Sequence, residues 1–319
     1  MTPCFSFSHG RAGNARRQFI KTAAGAVLAL PAVCRAAEEV GETATGPSEI
    51  VDIHVHCTHR GRSDEQTLLH QKNTGVGLTV LLPAGTTGGL AAGAAGTGYV
   101  AAFAQQHPGC VYFANENIFR PEAPRTIERW LEAGACGIGE LKDRVACDSP
   151  GMMRVAEVAR EHGVPMLIHF QDGSYNDGFA RFYRVLEKFP TVNFIGHATA
   201  FWGNIDRGYT PVHQRSPYPK NVTPGGLTDK WLAEYPNLYG DISAGSGNRA
   251  LSRDPEFTKD FLTRHQDKLL YGSDCFCPAG TGPDCRAVIK LGLLERLCAT
   301  GEIRKKILAD NSRKLLRSL

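Results

Sequence analysis

The sequence predicts an α/β protein that closes as a (β/α)8 barrel, and three observations predict it. Eight short apolar runs alternate with helical stretches at intervals of roughly 25–45 residues. The first run ends in His-Val-His, where a doubly wound open sheet would carry a glycine-rich phosphate turn. Polar residues recur at the C-terminal ends of later runs, the end at which barrel strands present chemical groups. The expected organisation is an export signal over 1–36, a linker over 37–49 and one barrel domain over 50–319.

The strands are expected at 50–56, 77–82, 110–115, 135–141, 165–170, 193–197, 237–243 and 268–273, each β-branched or apolar. Between them, 3.6-residue periodicity predicts helices over 99–107, 124–133, 150–162, 179–189, 227–234 and 255–265, and two more over 286–298 and 303–315. Gly134 and Gly163 suit the left-handed residue that ends a helix, and Pro165 and Pro190 stop any continuation. Two connections exceed what such joins need. One is 83–98, rich in Gly, Ala and Thr; the other is 198–226, with Trp202, Arg207, Tyr209, His213, Arg215, Tyr218 and Lys220. Both follow strand ends at the active face of a barrel, so both are candidate substrate loops.

The N-terminus reads differently. Arg16-Arg17-Gln18-Phe19-Ile20-Lys21 precedes an apolar run from Thr22 to Val33, too short to span a bilayer, and small residues follow at Ala36-Ala37. That is the layout of a cleavable signal, and the paired arginines resemble the twin-arginine type, which exports folded proteins to the periplasm. The segment holds five basic residues and no acidic one, so its removal takes the net charge from +4 to −1. A near-neutral mature chain without Lys/Arg clusters has no electrostatic footprint for nucleic acid, and no membrane anchor is expected to survive cleavage. A small-molecule substrate is the expected partner, with a homodimer the assembly left open. Of the ten cysteines, Cys275, Cys277 and Cys285 are the densest group. Their CxC spacing departs from the CxxC of structural zinc sites, so buried thiols or a disulfide are the readings.

His54 and His56 lie at i and i+2 of a strand, on one face and roughly 6.5–7 Å apart along the backbone. Two imidazoles so placed can converge on one ion, although a lone HxH can equally be two satisfied core histidines. Ile53 and Val55 are then expected on the opposite face. His169 follows Met166-Leu167-Ile168, His197 follows Phe194-Ile195-Gly196, and Asp274 follows Leu270-Tyr271-Gly272-Ser273. Histidines and a carboxylate at four strand ends argue for a shared metal rather than four structural residues.

These motifs, DIHVH, MLIHF, NFIGHATA and YGSD, together resemble the amidohydrolase superfamily, in particular its amidohydrolase-2 branch of metal-dependent TIM-barrel hydrolases and decarboxylases, over roughly residues 50–315. The resemblance implies His54, His56, His169 and Asp274 as metal ligands. It implies that Asp274 also accepts a proton from an activated water, and that His197 acts in catalysis or, in a binuclear site, as a ligand. Some members carry a metal-binding Glu or a carboxylated Lys on the fourth strand. Glu140 in Gly137-Ile138-Gly139-Glu140-Leu141-Lys142 fits that place, against the alternative of a Glu140–Lys142 pair.

Arg144, Tyr175, Trp202 and Arg207 follow barrel strands and are the weaker candidates for holding a substrate carboxylate or ring. Asp241 is a candidate for orienting a ligand histidine, Asp52 for a structural role or for that one, and His59 reads as a loop residue. His and carboxylate donors suit Zn first, with Mn and Fe also compatible, as one ion or two. The expected reaction is hydrolysis of an amide, ester or lactone; the alternative is non-oxidative decarboxylation of a small aromatic acid. A non-catalytic metal-binding barrel and a nuclease are the remaining readings, the latter opposed by the near-neutral charge.

Overall fold

The computed structural model describes residues 50–84, 93–211 and 218–317. The segments read as signal (1–36) and linker (37–49), and His213 and Arg215, lie outside the described residues. The strands are β1 (Ile50–Val55), β2 (Val76–Leu81), β3 (Cys110–Tyr112), β4 (Ile138–Leu141), β5 (Met166–His169), β6 (Phe194–His197), β7 (Leu238–Asp241) and β8 (Leu269–Leu270). All pairings are parallel, in two arcs ordered β1-β2-β3 and β4-β5-β6-β7-β8. The arcs meet on both sides. An Ala114–Ile138 bridge joins the region of β3 to β4, and the N–H groups of Ile53 and Asp274 donate to Tyr271 O and His54 O across β8 and β1.

Two apolar layers follow from strand alternation. One collects Ile53, Val80, Phe113, Leu167, Ile195 and Leu270, inward-facing positions from around the ring. The other takes the alternate residues, Val55, Leu81, Tyr112, Ile168 and Phe194, against the helices. This corrects one expectation: Ile53 and Val55 fall in different layers. The β1–β2 register slips between Asp52 and Val55, and a slip of this kind changes which face a side chain takes.

The helices are α1 (Asp64–Asn73), α2 (Thr97–Gln106), α3 (Ala123–Glu132), α4 (Pro150–His162), α5 (Tyr183–Lys188), α6 (Ala198–Gly203), α7 (Leu227–Glu234), α8 (Ala244–Ser252), α9 (Pro255–Arg264), α10 (Arg286–Leu297), α11 (Gly301–Lys305) and α12 (Asn311–Arg317). Helix α4 shows why its limits were readable. Ser149 caps it by accepting from the Met152 N–H, Pro150 opens it, and Gly163 closes it in the left-handed conformation. Helices α1, α6 and α8 were not expected. Among the described residues, no helix is long and apolar enough to cross a membrane.

Candidate metal centre

The site sits where the inner layer meets the C-terminal strand ends. β5 and β6 run level, with His169 opposite His197, each on the face shared by Leu167 and Ile195 two residues earlier. On β4 the register shifts between Ile138 and Leu141, a distortion that re-aims Glu140 into the ring of histidines. Gly139 occupies positive φ there, and a Cβ on it would lie 2.6 Å from Leu167 O, so the bend requires glycine. Asp274 stands just beyond β8 at φ 42, fixed by its N–H to His54 O at 2.9 Å.

The donors form two groups. In the first, His54 Nε2 and His56 Nε2 are 3.1 Å apart. Glu140 Oε2 lies 3.8 and 3.3 Å from them, and Asp274 Oδ1 4.0 and 3.8 Å. In the second, the other oxygen, Glu140 Oε1, lies 2.6 Å from His169 Nδ1 and 3.8 Å from His197 Nε2. Donors around one tetrahedral ion at Zn–N and Zn–O distances near 2.0–2.1 Å are about 3.3 Å apart, and both groups bracket that spacing. Asp274 Oδ1 is buried with no hydrogen-bond partner, a cost that a cation would remove. The residues therefore fit a divalent ion, and Glu140 turns one oxygen to each group. The alternative of a Glu140–Lys142 pair gives way to this: Glu140 faces histidines, while Lys142 Nζ sits over the Tyr175 ring at 5.4 Å.

A polar layer behind the donors sets their orientation. Asp241 Oδ2 lies 2.6 Å from His54 Nδ1 and 3.2 Å from His197 Nδ1, and accepts from Ser243 Oγ at 2.7 Å. His56 donates through Nδ1 to Leu82 O at 2.7 Å. With Nδ1 so engaged, the Nε2 lone pairs of His54, His56 and His197 face inward. His169 is reversed: its Nε2 meets Gln171 Oε1 at 3.1 Å, leaving Nδ1 towards Glu140.

Burial alone would raise the Asp241 carboxyl, but the His54 and His197 imidazoles beside it hold it well below the usual carboxylate range. The same contest, won by histidine charge and hydrogen bonds, holds Glu140 far down; for Asp274 the neighbouring His54 and His56 outweigh burial and the like charge of Glu140. His54 rises despite its burial because Asp241 favours its charged form. His169 moves down, burial outweighing Glu140.

The other expected residues separate. Tyr175 packs edge-on against His169 at 5.7 Å, with the Arg144 guanidinium 6.0 Å from its ring, so both flank the mouth. Trp202 does not: it is fully buried, donating from Nε1 to Asp241 O at 2.8 Å and packing on Phe201 and Phe261. The cause is α6, which starts directly after His197 and turns Trp202 inward, where an open loop was expected. Arg207 is exposed beyond α6, and among the described residues no contact joins it to either donor group. His59 stands in the connection between β1 and α1, as expected, but on its inner side. It is buried with Nδ1 3.8 Å from Asp274 Oδ1, and burial together with the His56 charge pushes it down to about 4.

Asp52 proves to be a tie between strands, accepting the Ser273 N–H at 2.8 Å and the His54 N–H at 3.1 Å. Sequence reasoning missed Ser243 and Gln171. Each lies two residues beyond a site residue, Asp241 and His169, so strand period was the signal that could have found them.

Comparison with known proteins agrees with this architecture. The family described as Amidohydrolase matches residues 51–318. Among solved structures, an uncharacterized TIM-barrel protein from Bordetella bronchiseptica has a TM-score of 0.58 at 15% identity, covering 85% of this chain and 99% of its own. A TatD homologue from Escherichia coli K12 gives 0.55 at 13%, covering 84% and 98%. The 2,6-dihydroxybenzoate decarboxylase from Rhizobium gives 0.53 at 12%, covering 85% and 99%. No curated protein matches this sequence. With most of its length matched by the family and its strands arranged as in these TIM barrels, the chain belongs to the amidohydrolase family.

Proposed function

We propose that this protein is a metal-dependent hydrolase of a small amide, ester or lactone, in which Glu140 would help to hold each of two divalent ions. The observation that carries the reading is the division of the Glu140 carboxylate between two donor groups, since paired ions serve hydrolytic displacement by clamping the attacking and leaving oxygens. His54, His56, Glu140 and Asp274 would hold one ion, and Glu140, His169 and His197 the other. When bound, such ions supply Lewis-acid polarisation of the scissile group and activation of water near neutral pH. Zinc fits the donors, as do manganese and iron.

The residues of the chain supply the rest. Asp274 is held ionised, and its Oδ1 faces the histidines of its group with no hydrogen bond of its own, so it is placed to take the proton of an attacking water and return it to the leaving group. His59, held neutral beside it, leaves that carboxylate without a competing cation. Asp241 and Ser243 keep His54 and His197 from rotating. In this reading His197 serves as a ligand, its 1% exposure leaving little room to reach substrate. The export signal read at the N-terminus extends the proposal: the chain would fold and load its ions before reaching the periplasm.

One feature favours decarboxylation as a second reading. Cation–aromatic pairs flank the mouth on two sides, Arg60 and Arg286 on Phe276 at 4.4 and 4.7 Å, and Lys142 and Arg144 on Tyr175, as an aromatic carboxylate would need. The deciding experiment strips the protein with chelator, restores zinc or manganese, and assays a panel of amides, esters, lactones and hydroxybenzoates. Metal-restored hydrolysis supports the proposal. Carbon dioxide release without hydrolysis replaces it with the second reading, and activity indifferent to metal removes both.

A further inference from the structure

A second group of metal-type donors lies outside the centre described above. The loop from Asp274 to Arg286 folds over the C-terminal end of α1, pinned by Asn73 Nδ2 donating to Ala279 O at 2.8 Å. This brings Cys275 Sγ to 3.7 Å from Cys285 Sγ, and Cys285 Sγ to 3.7 Å from His70 Nε2. All three are almost fully buried, at 3%, 1% and 1% exposure. The spacing is informative. Ligands of one tetrahedral zinc, with Zn–S near 2.3 Å and Zn–N near 2.0–2.1 Å, stand roughly 3.8 Å apart for a sulfur pair and about 3.6 Å for sulfur and nitrogen.

The surroundings agree with a ligand set. His70 Nδ1 meets Gln71 Oε1 at 3.2 Å, which fixes the tautomer that leaves Nε2 free for an ion. Cys277, half-buried, packs against the pair with its thiol turned to Thr281 O at 3.7 Å, so it would swing in to serve as a fourth donor. The described cysteines are all free thiols. The CxC spacing argued against zinc only while the ligands were sought within one loop; α1 contributes the histidine that completes the set.

We propose that His70, Cys275, Cys277 and Cys285 bind a structural zinc ion, separate from the histidine–carboxylate centre and closed to substrate. Each coordinating thiol gives its proton to solvent on binding, and the zinc stays divalent. The ion fastens the β8–α10 loop to α1. Because Cys275 follows Asp274 directly, it fixes the loop from which that carboxylate projects. Arg62 reinforces the same corner, donating to Cys275 O at 2.7 Å and to His56 O at 3.2 Å.

A mercurial titration of the full chain tests this, because mercurials displace zinc from thiolates and leave ions held by histidine and carboxylate in place. The wild-type protein is expected to release about one zinc per chain on thiol modification. Cys285→Ser and His70→Gln are expected to lose that release. Cobalt substitution gives a second readout independent of activity. A thiolate-to-cobalt charge-transfer band is expected in the wild type and absent in Cys285→Ser. If those variants fail to fold, Cys277→Ser at the half-buried position should fold and cut the band by about a third, as three thiolates become two. Thiols that titrate freely without zinc release overturn the proposal. So does recovery of Cys275 and Cys285 as a disulfide-linked peptide, with the intact mass lower by two hydrogens.

Discussion

Two clusters of donors meet at the Asp274–Cys275 peptide bond and could hardly differ more. On the Asp274 side the donors are imidazole and carboxylate, backed by Asp241 and Ser243, and two of them, Asp274 and His169, retain side-chain exposure of 15% and 11%. On the Cys275 side they are thiols and one imidazole, with Cys275, Cys285 and His70 almost sealed from solvent and Cys277 half-buried. Hard, partly open donors suit an ion that must exchange water and substrate. Soft, closed donors suit an ion that only holds chain together. One loop carries both, so the rigidity of the second cluster bears on the geometry of the first.

The largest effect should come from the residue shared by the two groups of the open centre. Glu140→Gln is expected to lower kcat/KM by about 10³-fold or more while the mercurial-released zinc stays unchanged, measured by assay and metal count on the same preparation. Loss of both metals together would erase the distinction between the clusters. Next, Asp241→Asn should weaken metal binding at the open centre by about 10–100-fold, because His54 and His197 lose their common anchor; chelator competition measures this. Cys285→Ser should act on stability instead, lowering Tm by about 5 °C or more in calorimetry, with the open centre still able to take metal.

A smaller change is expected at the mouth. Arg144→Ala should raise KM for an anionic substrate by about threefold to tenfold with kcat little altered, and an unchanged KM would remove Arg144 from the substrate-binding surface. The smallest concerns Lys290, buried behind Asp241 and hydrogen-bonded to Ile242 O and Asn248 Oδ1. Burial pushes its ammonium down to about 7 from 10.5, although Asp241 and Asp274 oppose the shift. Between those values the unfolded chain binds the proton that the folded chain has lost, so Lys290 makes stability rise with pH across that window. Lys290→Met should flatten this slope, so that its Tm difference from wild type is largest at pH 7 and below and shrinks towards pH 10. A constant difference would show that Lys290 keeps its charge.

What could be read in advance, and what could not, follows from physics. The eight strands were legible because each is a short apolar run, and His54, His56, His169, His197 and Asp274 stood at or just past the ends of four of them. Glu140 was legible as a strand-end carboxylate, but its two-sided role was not, since that depends on a register shift in β4 that alternation alone cannot reveal. Helix α1 was missed although Ser63 and Gln66 form a capping box at its start. Helix α8 was hidden by low-propensity Gly245, Ser246 and Gly247. Trp202 was misplaced because nothing local announces that α6 begins at once after His197. The thiol cluster was invisible because His70 and Cys285 are 215 positions apart, and only the fold unites them.

The most direct test of the account is anomalous diffraction at the zinc edge from crystals of the metal-loaded protein. The account predicts two peaks at the barrel mouth, one on each side of the Glu140 carboxylate. A single peak among His54, His56, His169 and Asp274, with Glu140 turned away, would contradict it.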